Sequence, residues 1–257
     1  MNTSRVALVT GAADGIGAGV DRRLVEDGLR VVAVDIDEER ARASIADFGD
    51  QAIFVSADVA RESDVVNMVA RARDTFGRVD ILVNNAWGGG GMGRVEKKSN
   101  ELLRHGIDVA FFAAFWAMRE VFPEMKERGW GRVVNMCSLN GVNAHMGTLE
   151  YNVGKESLRT LTRTAAREWA PTGVVVNAVC PAAKSAAFHR VMGAHPELIA
   201  AADASNPMGR IGDPYLDIAP VVSFLVGDDC RYMTGNTVFV DGGSHINGSA
   251  WAPDLGD

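Results

Sequence analysis

The chain has 257 residues, 47% apolar and 23% charged, with 33 acidic side chains against 26 basic ones and a net charge of −7. That length and composition suit a single globular domain with a sizeable core. The acidic balance argues against a phosphate-backbone binder, so no nucleic-acid partner is expected. No apolar run approaches the roughly 18 residues of a membrane span, and the first residues carry no signal pattern. The expectation is a soluble, cytoplasmic protein without a membrane partner. Cys137, Cys180 and Cys230 are odd in number and scattered, which reads as buried free thiols. No Cys/His cluster has zinc-ligand spacing, so no metal is expected.

In chain order, Arg5 to Thr10 is a short apolar run and predicts a buried strand. A loop with Gly11, Asp14, Gly15, Ile16 and Gly17 follows at once, then helical spacing through about Gly28. Glycine permits a tight turn, and a helix N-terminus offers unbonded N–H groups to an anion such as a pyrophosphate. A plain strand–turn–helix is the bland alternative. Arg30 to Asp35 is the next strand, ending in an acid 24 residues after Gly11. A carboxylate there can accept from an adenosine ribose diol and repel a 2′-phosphate, or can simply end the strand before the helix that starts at Asp37. Asp14 adds a second negative charge, and neither position offers an arginine or lysine, so NAD is favoured over NADP.

Ala52 to Ser56 predicts a third strand, followed by Asp58 and Val59. Asp58 can meet an adenine amino group or cap the helix starting near Glu62. Ile81 to Asn85 is the fourth strand; its paired asparagines can lock neighbouring backbone or touch a cofactor. Trp87 to Gly93 is a glycine-rich loop that can close over a ligand or stay mobile on the surface. About Ser99 to Arg128 predicts one long helix, with the apolar run from Val109 to Trp116 packing into the core or a subunit contact.

Arg132 to Cys137 is the fifth strand, with Ser138 at its end. Tyr151 and Lys155 stand four apart in a helical pattern and so share a face. An ammonium near a phenol favours the phenolate, so the tyrosine pKa is expected to fall from about 10 toward working pH. Such a tyrosine can exchange a proton with a substrate oxygen, and a hydroxyl on Ser138 can hold that oxygen. The bland alternative is a surface pair worth about 0.2–0.5 kcal/mol. Gly173 to Cys180 is the sixth strand, ending at Pro181; 182–215 reads as an irregular segment of the kind that covers an active site. Residues 216–226 read as a helix, Asn236 to Asp241 as a last strand, and 244–257 as a polar tail.

Strand and helix patterns alternate throughout. That predicts an α/β fold of one domain over residues 1–257: a Rossmann-type doubly wound parallel sheet of about seven strands with helices on both faces. The ligand should lie outside the carboxyl ends of the strands, where Gly11, Asp35, Asn85, Ser138 and Pro181 all fall.

In that order, Thr10-Gly-x-x-x-Gly15-Ile-Gly17, Asp58-Val59, Asn84-Asn-Ala86, Ser138, Tyr151-x-x-x-Lys155, Pro181 and Asp241-Gly-Gly resemble the short-chain dehydrogenase/reductase family across nearly the full length. The resemblance implies a nicotinamide cofactor held by the glycine loop, Asp35, Asp58, Val59, Asn85, Ala86, Tyr151, Lys155 and Pro181, and a homotetramer or dimer. It also implies Tyr151 as acid/base, Ser138 orienting the substrate oxygen, and Lys155 lowering the tyrosine pKa and holding the nicotinamide ribose. Three departures stand out: Trp87 where the family has glycine, Ala182 after Pro181, and Ala110 where the family's relay asparagine aligns.

The function that follows is NAD-dependent interconversion of a secondary alcohol and a ketone. Trp87, Leu139, Asn140 and His145 are the candidate substrate contacts. Their apolar and amide character, with no basic cluster, suits a neutral and fairly hydrophobic substrate. His145 can equally be a solvent-facing loop residue. The alternatives are a dinucleotide-binding, redox-responsive interaction protein with little turnover, motivated by Ala110 and Ala182, and an NADP-dependent reductase.

Overall fold

The computed structural model describes residues 5–246 except 186, 187, 190–192 and 194. Seven parallel strands form one sheet in the order β3-β2-β1-β4-β5-β6-β7. They are β1 Val6–Thr10, β2 Arg30–Asp35, β3 Ala52–Ser56, β4 Ile81–Asn84, β5 Gly131–Met136, β6 Val174–Pro181 and β7 Thr237–Val240. The order reverses between β1 and β4, which share the pairs Ala7↔Ile81, Leu8↔Leu82 and Val9↔Val83. This is the predicted Rossmann-like domain.

Strand period explains the two-sided core. Successive side chains of β1 point to opposite faces. Val6 and Leu8 pack with Met68, Val69, Met118 and Val121 from α3 (Glu62–Phe76) and α5 (Ala113–Glu127). Ala7 and Val9 pack with Val20, Leu24 and Val222 from α1 (Gly15–Glu26) and a late helix at Ala219–Val226. Because both faces are covered, β1 is apolar up to its last residue and wholly buried. Cys137, Cys180 and Cys230 are buried free thiols, as expected.

Two elements differ from the prediction. The segment from Ser99 to Arg128 is not one α-helix. α4 (Asn100–Ile107), capped by the Ser99 hydroxyl accepting from Leu102 N at 3.2 Å, passes through a π-turn at Asp108–Phe112 into α5. Apolar residues on every side of this run hide such a one-residue slip. Within 182–215, Pro196–Ser205 forms a helix with Pro196 in its first turn. It buries no residue, so it left no apolar stripe in the sequence. We number the remaining helices α2 (Glu38–Ser44), α6 (Leu139–Val142), α7 (Leu149–Trp169), α8 (Pro196–Ser205) and α9 (Ala219–Val226). A second π-turn, Pro214–Ile218, leads into α9 and takes the first residues expected of that helix. Of the predicted tail, only Ser244–Ile246 falls among the described residues, as one 3-10 turn. No helix among the described residues is long and apolar enough to cross a membrane.

One buried group stands against the fold. Asp21 lies on α1 one turn from Gly17 and Leu24, is 0% exposed, and neither carboxyl oxygen has a hydrogen-bond partner. Burial raises its pKa well above the usual carboxylate range. The unfolded chain releases this proton near pH 4, roughly the free aspartate value, while the folded chain keeps it to higher pH. Over that window the folded state binds more protons, so this group's contribution to stability falls as pH rises. Asp21→Ala is therefore expected to raise the unfolding free energy at pH 7 by about 1–3 kcal/mol. Denaturant unfolding of both proteins should show that gain shrinking toward pH 4.

Candidate active site

The site begins where β1 meets α1. Gly11 has φ +71° and Gly15 φ +56°, a region that L side chains rarely adopt. A Cβ added to Gly17 would stand 2.0 Å from the Gly11 carbonyl oxygen. The turn is fixed from β4: Asn85 Nδ2 donates to Thr10 O at 2.9 Å and Gly11 O at 3.0 Å. The Thr10 hydroxyl oxygen accepts from Asn85 N at 3.0 Å and Ala86 N at 3.1 Å. Asn85 thus takes the structural role foreseen for it and shapes the loop from beneath. Asp14 is the N-cap of α1 but makes no side-chain capping bond, so no side chain closes the first turn that Ile16 and Gly17 begin. A backbone cradle that no larger residue fits is what a pyrophosphate needs.

Beside the cradle lies a crevice of about 290 Å³, lined in part by Gly11, Asp35, Ile36, Asp58, Val59 and Trp87. Asp35 accepts from Ala13 N at 2.9 Å and Asp37 N at 3.0 Å, which joins the glycine loop to the end of β2. Asp58 does not cap α3, whose N-cap is Arg61. Its carboxylate accepts from Ala60 N at 3.1 Å and pairs with Arg61 at 3.3 Å. The sequence offered no cation at the glycine-loop or strand-end acids. The fold supplies one from α2, since Arg40 lies 3.4 Å from both Asp14 and Asp37. That arginine is already paired with two carboxylates. Cradle and crevice together suit a dinucleotide.

Farther along the same edge, Ser138 follows β5 and caps α6, its hydroxyl oxygen accepting from Asn140 N at 3.2 Å. Tyr151 and Lys155 sit in the first turns of α7. Lys155 is 3% exposed and donates from Nζ to Met136 O at 2.6 Å. Its Nζ is 5.8 Å from the ring centroids of both Tyr151 and Trp87. Those two rings meet edge-to-face, 4.7 Å apart at 76°. The site is drier than its sequence suggested. Burial lowers Lys155 to about 8. Burial also raises Tyr151 above the ordinary phenol value, with the Ser138 hydroxyl acting in the opposite direction. The expected fall of the tyrosine pKa is thus not present in the protein alone, because removing the phenol from water outweighs its neighbours.

The other predicted positions are spread around this core. Ala86 lines the crevice, and Pro181 ends β6 opposite Val240. Leu139 and Asn140 open α6 just beyond Ser138. His145 is exposed and turned to its own loop, with Nδ1 3.3 Å from Thr148 Oγ1. A void of about 10 Å³ borders Thr10, Asn84, Ala110, Ala114 and Leu158, room for about one water. Asn84 leads from it into a buried chain, donating to Asn135 Oδ1 at 2.8 Å, while Asn135 donates to Thr162 Oγ1 at 2.8 Å. Glu150, Lys98 and His105, which hold the loop bearing Trp87, were not singled out in the sequence. No residue spacing links Lys98 to a carboxylate 52 positions later. Among the described residues no cluster could hold a metal ion.

A family model described as Enoyl-(Acyl carrier protein) reductase matches residues 11–245. The 2,3-dihydroxy-2,3-dihydro-p-cumate dehydrogenase of Pseudomonas putida is 37% identical over 249 residues, covering 93% of this chain and 94% of that one. Dehydrogenase/reductase SDR family member 4 of Homo sapiens is 33% identical, covering 94% and 87%. A 2,5-dichloro-2,5-cyclohexadiene-1,4-diol dehydrogenase of Sphingobium indicum is 33% identical, covering 93% and 95%. The crystal structure of levodione reductase superposes with a TM-score of 0.90 at 29% identity, covering 95% and 98%. The chain belongs to the short-chain dehydrogenase/reductase family of nicotinamide-dependent oxidoreductases.

The depressed lysine gives a direct test. In an NMR titration of lysine-labelled protein without ligand, one ammonium should titrate near pH 8, more than two units below the ordinary lysine value of about 10.4. That signal should vanish in Lys155→Met.

Proposed function

We propose that this protein is an NAD-dependent oxidoreductase that interconverts a secondary alcohol and a ketone on a neutral, fairly hydrophobic ring. The observation that carries it is the convergence of Ser138, Tyr151 and Lys155 on the sheet edge that also bears the glycine cradle and Asp35, which accepts from Ala13 N. The bound nicotinamide supplies the hydride chemistry. The chain's own residues bind, orient and move a proton. Ser138 Oγ holds the substrate oxygen, and Tyr151 Oη takes the hydroxyl proton in oxidation or returns it in reduction. Lys155 holds positive charge under this centre at neutral pH, since its pKa stays near 8. In oxidation the Lys155 ammonium, 5.8 Å from the Tyr151 ring, would favour the phenolate that accepts the proton; in reduction the basic oxygen forming on the substrate would draw that proton from the phenol.

Trp87 sets one wall of the substrate pocket, edge-on to Tyr151. Leu139 and Asn140 are proposed as further contacts, and 182–215 as the segment that covers them. His145 is the weakest of these proposals, because its ring faces Thr148. Two relatives are named for diols of partly saturated rings, which supports a cyclic substrate class. Asp14 and Asp35 support NAD over NADP, and Arg40 already has two carboxylates beside it. The exposed Phe112, stacked on Trp116, supports α5 as an assembly face in a homotetramer or dimer.

With 1,2-cyclohexanediol and NAD, Tyr151→Phe should cut kcat/KM by about 10²–10⁴ while leaving NADH binding near wild type. Turnover that survives this change would remove Tyr151 as the acid/base. NADH binding with no Tyr151-dependent turnover on any cyclic alcohol would favour the interaction-protein reading. In a titration the wild type should bind NADH more tightly than NADPH. Asp35→Ala should narrow that gap by about tenfold or more, since like charges in contact cost several kcal/mol.

A further inference from the structure

The loop from Trp87 to Gly93 holds four consecutive glycines, 88–91, and is exposed from Gly88 to Met92. Such a run gives up a large backbone entropy when ordered. It is tied at three points nonetheless. Gly88 O accepts from His105 Nε2 at 3.0 Å. Gly93 N donates to Gly147 O at 3.0 Å. Between them, both polar atoms of Gly91 are held by one buried ion pair. Gly91 N donates to Glu150 Oε1 at 2.8 Å, Gly91 O accepts from Lys98 Nζ, and Lys98 Nζ meets Glu150 Oε2 at 2.6 Å. The two side chains are 6% and 2% exposed.

Glu150 cannot retreat from this contact. It sits where α4 and α7 cross so closely that a Cβ on Gly106 would lie 3.0 Å from Glu150 Cβ and 2.7 Å from its carbonyl oxygen. The next residue is Tyr151, whose ring touches Trp87 at the start of the same loop. Loop and tyrosine therefore share one anchor. Burial pushes the Glu150 carboxyl up, but Lys98 and the Gly91 N–H outweigh it and hold it below the ordinary carboxylate range.

We infer that Glu150 and Lys98 are positioning residues: their ion pair closes on the Gly91 peptide and fixes Trp87 against Tyr151, setting how tightly substrate is held. The effect on turnover rests on the oxidoreductase reading above; the effect on the loop does not. A buried pair contributes little net stability, whereas losing one partner strands a charge, and replacing both by apolar groups is often neutral. Stability and loop order can therefore be separated.

The experiment compares wild type with Glu150→Leu, Lys98→Met and the double variant. Each is followed by thermal unfolding, by amide hydrogen exchange of the segment 87–93, and by kcat and KM for 1,2-cyclohexanediol with NAD. Both single variants should unfold at lower temperature and exchange the loop amides about tenfold faster or more. The double variant should recover its unfolding temperature but keep the fast exchange. Its KM should be raised about tenfold, with kcat within roughly threefold of wild type, the pattern of lost uniform binding. Recovery of exchange and KM along with stability would overturn the inference, leaving a merely structural pair. Exchange unchanged in every variant would overturn it equally. If the diol is not turned over at all, the oxidoreductase reading fails on this substrate while the exchange result still decides the inference.

Discussion

The structure depends on a close approach of backbone to backbone between Gly17 and Gly11, 2.0 Å from any added Cβ. No other residue type fits, and the geometry is held from both neighbouring strands, by Asn85 after β4 and by Val34 and Asp35 of β2. The loop belongs to β1 and α1, yet Asn85, just past β4, binds two of its carbonyl oxygens from beneath. The strand-order reversal makes those two strands neighbours, so the topology and the cradle are one fact seen twice. Everything farther along the sheet edge inherits its position from that seam.

Along the edge the polar groups become steadily drier. Asp35 lies where solvent reaches, Ser138 is 7% exposed, and Lys155 is 3% exposed. In such surroundings the lysine pKa falls and the tyrosine pKa rises, so each stays uncharged more readily than in water. Charge arriving with a ligand then acts at low dielectric, where it counts for more. The Trp87 indole adds to this dryness by covering both groups.

Much of this was legible in the sequence. All seven strands could be read, because a sheet covered on both faces keeps short, nearly continuous apolar runs such as Val6–Thr10. The positions of Ser138, Tyr151 and Lys155 followed from a strand end and an i, i+4 pair. What stayed hidden shares one cause: no local period records it. α8 buries nothing and so has no stripe. The pairing of Arg40 with Asp14 and of Lys98 with Glu150 depends on where separate elements meet. Tyr151's raised pKa depends on how much water packing removes, and the pattern Tyr-x-x-x-Lys does not contain that quantity.

The π-turn at Asp108–Phe112 fits one extra residue into a helix that otherwise winds regularly. Each residue of an α-helix advances about 100° around the axis. Because the widened turn takes up the extra residue locally, removing one residue here would relax it into ordinary helix while α5 kept its present facing. A residue lost from Ala113 or Ala114, where the helix winds regularly, has no such slack and would put the Phe115 ring where the buried Ala114 now packs. The helix can therefore shed a residue at its widened turn but not beyond it.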